Sequence, residues 1–211
     1  MKTSKYLYTL KIELCGSKPL IWRRIIVFSD MSFFALHVAI QDSFGWTDSH
    51  LHQFHTKTPY SRDRNYHIIS FPYPDSEKFD DEMKSKDERF EIISQWFTKE
   101  NDTVFYEYDF GDGWIHKIIL EKIKQFEMGQ YPKLIDGKNA CPPEDCGGIG
   151  GYYHILDVLS DPKNKEHEDM CEWLGIKRGD EFNPTEFNPA KVIFTDPKKE
   201  LKRYEKGFSG R

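Results

Sequence analysis

Eleven residues, YEYDFGDGWIH from Tyr106 to His116, leave little freedom in how the middle of this 211-residue chain can fold. Val104, Tyr106 and Tyr108 fall on one face at alternate positions, as they would in a strand. Asp112-Gly113 is a turn dipeptide, and Trp114, His116, Ile118 and Leu120 resume the alternation on the way out. The segment therefore predicts a hairpin that gathers Asp109, Asp112 and His116 around one turn.

The flanking sequence supplies strands and helices in mixed order. Tyr6, Tyr8, Leu10, Ile12 and Leu14 share one face of an N-terminal strand, and turn residues from Gly16 to Pro19 lead into a second, LIWRRIIV, which places Arg23 and Arg24 on opposite faces. Ser32 is positioned to cap a helix whose stripe is Phe33, Leu36, Ile40 and Phe44, with Gly45 at its end and His37 beside the stripe as a core residue. HLHQFHT alternates as a strand, with His50, His52 and Phe54 on one face. From Pro59 to Asp87 the chain is polar and charged, an excursion with one strand-like stretch at Arg64 to Ser70. Ser85 and Glu88 form a capping-box pattern ahead of Phe90, Ile93, Trp96 and Phe97, which predicts another helix. Further helices are expected at Tyr152 to Leu159 and around Met170 to Leu174. The fold class that follows is α+β: one domain over residues 1–196, an antiparallel or mixed sheet packed by amphipathic helices, with a basic tail over 197–211.

Composition narrows the function classes. No apolar run is long enough for a membrane span, and the first residues alternate where a signal peptide would be continuously apolar, so a cytoplasmic protein without membrane contact is expected. Four cysteines without a secretory leader are expected to be reduced thiols. The formal net charge is -5, which opposes non-specific nucleic-acid binding. From Pro197 onward, however, six basic residues face Glu200 and Glu205, a local +4 that leaves -9 for the remainder. That tail could touch nucleic acid, although a solvated terminal helix is the favoured reading.

Three constellations carry candidate chemistry. Asp109, Asp112 and His116, joined by His50 or His52, offer carboxylates and imidazoles of the kind that hold a divalent metal and activate water, and equally of the kind that stabilise a hairpin. Glu144 and Asp145 precede the glycines Gly147, Gly148, Gly150 and Gly151, a turn that could present polar groups, cap a helix or hold a cation; no Walker-type Lys-Ser/Thr follows. Cys141 and Cys146, with His167 and Cys171 at (i, i+4) spacing, permit a structural zinc site but lack the tight spacing of strong zinc signatures. Nucleophile elbows, dinucleotide fingerprints and zincin motifs are absent.

LIWRRI, the LHVAIQDSFGWTDSHLHQF block, YEYDFGDGWIHKIILE, and YPKLIDGKNACPPEDCGGIGGYYHIL followed by EHEDMCEWLG and the Phe-Asn-Pro segment occur in one order from about Tyr6 to Phe194. In these blocks the chain resembles the plasmid pRiA4b ORF-3-like family. The resemblance implies an α+β domain and a link to plasmids and insertion elements, some of whose members carry a resolvase-type label. Resolvase chemistry itself is not expected, because a nucleophilic serine with supporting arginines and a helix-turn-helix cannot be located here. By resemblance the motif positions fall on Trp22, Arg23, Trp46, His50, His52, Tyr108 to Asp112, Trp114, His116 and Pro142 to Gly148. The function expected is a module that binds a ligand or partner through the polar face of the hairpin and the 142–148 turn. A metal-dependent hydrolase, acting on a phosphodiester, and a nucleic-acid-associated accessory protein are the alternatives.

Overall fold

The computed structural model describes residues 6–63, 65–72, 85–177 and 182–209, with side chains in the last helix to residue 206. Much of the charged excursion therefore lies outside the described residues, including the larger part of PYPDSEKFDDEMKSKDE.

Eight strands form one sheet: β1 (Tyr6–Leu14), β2 (Trp22–Phe28), β3 (His52–His55), β4 (Ile68–Ser70), β5 (Lys86–Asp87), β6 (Thr103–Tyr108), β7 (Trp114–Gln125) and β8 (Lys133–Lys138). Their spatial order is β5-β4-β3-β6-β7-β1-β2-β8, antiparallel throughout except for the β4/β5 pair. The helices are α1 (Phe33–Phe44), α2 (Gly148–Ser160), α3 (His167–Trp173) and α4 (Pro197–Ser209). This is the α+β class that the sequence predicts.

Alternation sets the core. Leu10, Ile12, Leu14, Ile25, Val27, Val104, Tyr106, Ile118 and Leu120 are almost wholly buried, and α1 adds Phe33, Leu36 and Ile40 against the same face. The burial of these side chains is the main stabilising term, each contributing on the order of 2 kcal/mol. Helix α1 begins where the Ser32 side chain accepts from the Ala35 N–H, and it ends at Gly45, whose φ of 84° lets its N–H reach the Gln41 carbonyl. Arg23 lies on the buried face of β2, whereas Arg24 points outward to Glu121 and Asp136.

Two expectations fail. The capping-box pattern at Ser85 starts no long helix: Lys86–Asp87 is a strand, and a 3-10 segment follows at Ile93–Gln95. Glu88 is instead a fully buried carboxylate bonded to His52, and Phe90 is exposed, so the apolar stripe lacks a continuous partner surface. The basic tail is not a freely solvated helix either. Leu201 and Tyr204 of α4 pack onto Phe34, Val38 and Phe71, while Lys198, Lys199, Lys202 and Lys206 stay exposed.

Candidate functional site

Two loops meet at one end of the sheet, the β6–β7 turn and the 142–148 segment. Asp112 joins them, its Oδ2 accepting from the Gly147 N–H at 3.1 Å. A Cβ on Gly148 (φ 67°) would collide with the Asp112 carbonyl oxygen, and one on Gly151 with the Cys146 carbonyl, so glycine is required for this approach. Glu144 ties the same segment to the chain after α1. It accepts from the Thr47 N–H (3.0 Å) and hydroxyl (2.5 Å) and from the Tyr108 hydroxyl (2.5 Å). Burial and the Glu144 carboxylate hold the Tyr108 phenol far above its ordinary pKa, which keeps it a donor.

Within this frame His50, Asp109 and Asp145 converge, their ligand atoms within 4.8 Å of one another. His50 Nε2 lies 3.1 Å from Asp145 Oδ1 and 3.8 Å from Asp109 Oδ2. That nitrogen is buried and makes no hydrogen bond of acceptable geometry, although it stands within ion-pair distance of both carboxylates. Both aspartates hold left-handed backbone conformations, φ 55° at Asp109 and 59° at Asp145. Asp109 is oriented from behind: its Oδ1 accepts the Gly111 and Asp112 N–H groups at 3.0 and 3.3 Å, which leaves Oδ2 facing His50. Asp145 is 69% exposed on its side chain, so the group is open on one side.

The other expected site residues lie elsewhere. His116 is fully buried in β7 between Phe44, Trp46 and Tyr106, with neither ring nitrogen hydrogen-bonded. Burial pushes its pKa down to about 3 against the opposing Tyr106 and Trp114 carbonyls. It belongs to the core because β7 alternation, which fixes Trp114 and Ile118 inward, fixes His116 inward too. His52 is likewise buried. Its ring stacks on that of His37, with centroids 3.5 Å apart and planes 1° from parallel, and its Nε2 meets Glu88 at 2.9 Å.

The four zinc candidates do not assemble. Cys171 and His167 face each other on α3 at 3.6 Å, but none of the four joins a shared ligand cluster among the described residues. Cys141 and Cys146 lie at the 142–148 turn, where burial raises both thiols, Cys146 to about 11.

The buried network around His37 is the feature that sequence reasoning missed. His37 Nδ1 contacts the Tyr106 hydroxyl at 2.8 Å, and its Nε2 lies 3.0 Å from Asp48, which also accepts from Tyr204 at 2.6 Å and from Arg203 at 2.7 Å. Alternation already singles out His52. Nothing local announces Asp48, Glu88 or the α4 partners, which arrive from distant parts of the chain.

Comparison with known proteins adds kinship. A family model described as plasmid pRiA4b ORF-3-like protein matches residues 6–191. An uncharacterized protein, y4hQ, of Sinorhizobium fredii (strain NBRC 101917 / NGR234) is 32% identical over 166 residues, 79% of each chain. A crystal structure of a protein of unknown function, MM3350 from Methanosarcina mazei Go1, superposes with a TM-score of 0.76 at 37% identity, covering 92% of this chain and all of that one. With matching blocks, a matching fold and a match over most of its length, the chain belongs to the plasmid pRiA4b ORF-3-like family.

Proposed function

We propose that this protein is a ligand-binding module whose polar face, between the β6–β7 turn and the 142–148 turn, takes a divalent cation at His50, Asp109 and Asp145. The observation that carries this reading is the His50 Nε2 atom, buried and unbonded between two carboxylates. A buried polar atom without a partner is costly, and two carboxylates drawn together repel one another; a cation answers both. The spacing also agrees. Ligands about 2.1 Å from one ion stand about 3.0 to 3.4 Å apart in octahedral or tetrahedral coordination; the 3.1 Å separation of His50 and Asp145 falls in that range, and Asp109, at 3.8 Å, would move inward by a few tenths of an ångström. One imidazole with two carboxylates suits zinc or manganese better than calcium or magnesium. The αL backbone at both aspartates and the two N–H groups behind Asp109 orient the ligands in advance.

The test is calorimetric titration of the chelator-treated full chain with Zn²⁺ and Mn²⁺, alongside Asp109→Asn and Asp145→Asn. One site per chain is expected, weakened at least about tenfold in either variant, since one charged ligand is lost. Equal binding by wild type and both variants would place the ion elsewhere and refute the reading. The hydrolase alternative has less support, because neither His116 nor Asp112 is placed to act on an ion here: one is buried in an aromatic cage and the other bonds Gly147.

A further inference from the structure

Among the described residues, Arg23 is a buried cation without a counter-ion. It is 2% exposed, and two of its nitrogens donate to carbonyls: Nε to Ser43 (2.9 Å), Nη1 to Trp22 (2.9 Å) and Lys138 (3.0 Å). Among the described residues no bond uses Nη2 and no carboxylate lies within ion-pair distance of the guanidinium. Burial lowers its pKa only to about 10, so the charge persists at neutral pH, and the neighbouring Cys141 cannot balance it because its thiol is held protonated. An isolated buried guanidinium is unfavourable unless something pairs with it.

The guanidinium borders a cavity of about 850 Å³, within the size range of sites that hold small organic molecules. Its walls include Phe44, Trp46, Phe182 and Phe187. The Arg23 guanidinium stands over two of these rings, 4.0 Å from the Phe187 centroid and 5.0 Å from that of Phe44. Phe187 reaches this position by lying over Gly137, the β8 partner of Arg23, where a Cβ would strike its ring.

Both Phe-Asn-Pro segments thus line the same cavity. The Asn183 and Asn188 carbonyl oxygens cap their own turns, at Thr185 and Ala190, which leaves both amide nitrogens to donate. The carboxylates on the wall are engaged elsewhere: Asp42 with Thr195, Glu144 with Thr47 and Tyr108, and Glu186 with Lys191.

We propose that this cavity binds a small organic anion, a carboxylate or phosphate carried on a flat apolar body, whose charge pairs with Arg23 and whose body lies among the aromatic walls. With Nε and Nη1 given to carbonyls, the Nη2 N–H groups remain to donate a charge-assisted bond to a carboxylate or phosphate oxygen. This site is separate from the cation site and does not depend on it.

The experiment uses the full chain in chelator, so that no cation at His50, Asp109 and Asp145 contributes, and titrates benzoate, phenylphosphate and the neutral benzamide by calorimetry or ligand-observed NMR. At least one anion is expected to bind at a single site, about tenfold or more tighter than benzamide, because a charge-assisted bond distinguishes them. The tighter anion identifies carboxylate or phosphate as the recognised group. Arg23→Gln should abolish the preference for the anion, and Phe187→Ala should weaken binding about fivefold or more. Should Arg23→Gln fail to fold, the Phe187 variant and the benzamide comparison still decide. Benzamide binding as tightly as the anions, affinity unchanged in Phe187→Ala, or no binding of either anion at millimolar concentration would each overturn the proposal.

Discussion

Two clusters of histidine and carboxylate, built from the same residue types a short distance apart in the chain, have opposite characters. His37, His52, Asp48 and Glu88 sit inside the protein, and their polar atoms are nearly all engaged by one another and by Tyr106, Tyr204 and Arg203; among these histidine nitrogens only His52 Nδ1 is orphaned. His50, Asp109 and Asp145 sit at a loop junction that is open to solvent on one side, and there the His50 nitrogen is unbonded although two carboxylates face it. Both groups bring ligand atoms within reach of a single ion. What separates them is how their bonding capacity is used: the inner cluster spends it holding β3, the Glu88 turn and α4 to the core, whereas the outer one leaves it available. Residue type and proximity alone therefore do not define a site.

The sharpest way to break this contrast is to remove Glu88. Glu88→Ala leaves His52 buried without its partner, and a loss of about 3 kcal/mol in urea unfolding is expected. A loss below about 1 kcal/mol would show that the inner network is not structural.

His116 gives the next largest effect, through pH. Its imidazole protonates near 6.5 when unfolded but only near about 3 when folded, so between these values the unfolded chain binds more protons. The contribution of the neutral ring is complete above about pH 6.5 and is lost as pH falls, by up to about 1.4 kcal/mol per pH unit. His116→Phe should flatten the stability curve between pH 6 and 4 relative to wild type; parallel curves would contradict the assignment.

Tyr204→Phe removes the hydroxyl that α4 donates to Asp48, for an expected cost of about 1 kcal/mol and faster hydrogen exchange in α4 than in α1. At the bottom of the scale, Asp145→Asn should change stability by less than about 0.5 kcal/mol, because the side chain is largely exposed. A stability loss there as large as that of Glu88→Ala would erase the distinction between the clusters.

Much of the frame is legible from sequence where one local signal dominates. The hairpin of β6 and β7 follows from alternation about a turn dipeptide, and α1 follows from a stripe with a cap at each end. Strand β8 escapes notice because, as an edge strand with mostly exposed side chains, it carries no apolar alternation. The Ser85 pattern misleads because a capping box and a buried carboxylate are the same letters; burial of Glu88 against His52 is a tertiary fact. At the candidate site, the named residues His50, Asp109 and Asp145 meet, Asp112 and Glu144 hold the loops that carry them, and His52 and His116 turn inward. Alternation treats His50 and His52 alike. The structure separates them because β3 begins at His52, which leaves His50 on the loop that faces Asp145.

The most direct test of the account is an anomalous diffraction map from crystals grown in Zn²⁺ or Mn²⁺. The ion is expected within about 2.2 Å of His50 Nε2 and of one oxygen each from Asp109 and Asp145, with the inner pair of histidines unchanged. An ion seated on His37 and His52 instead, or no ordered ion at the loop junction, would contradict it.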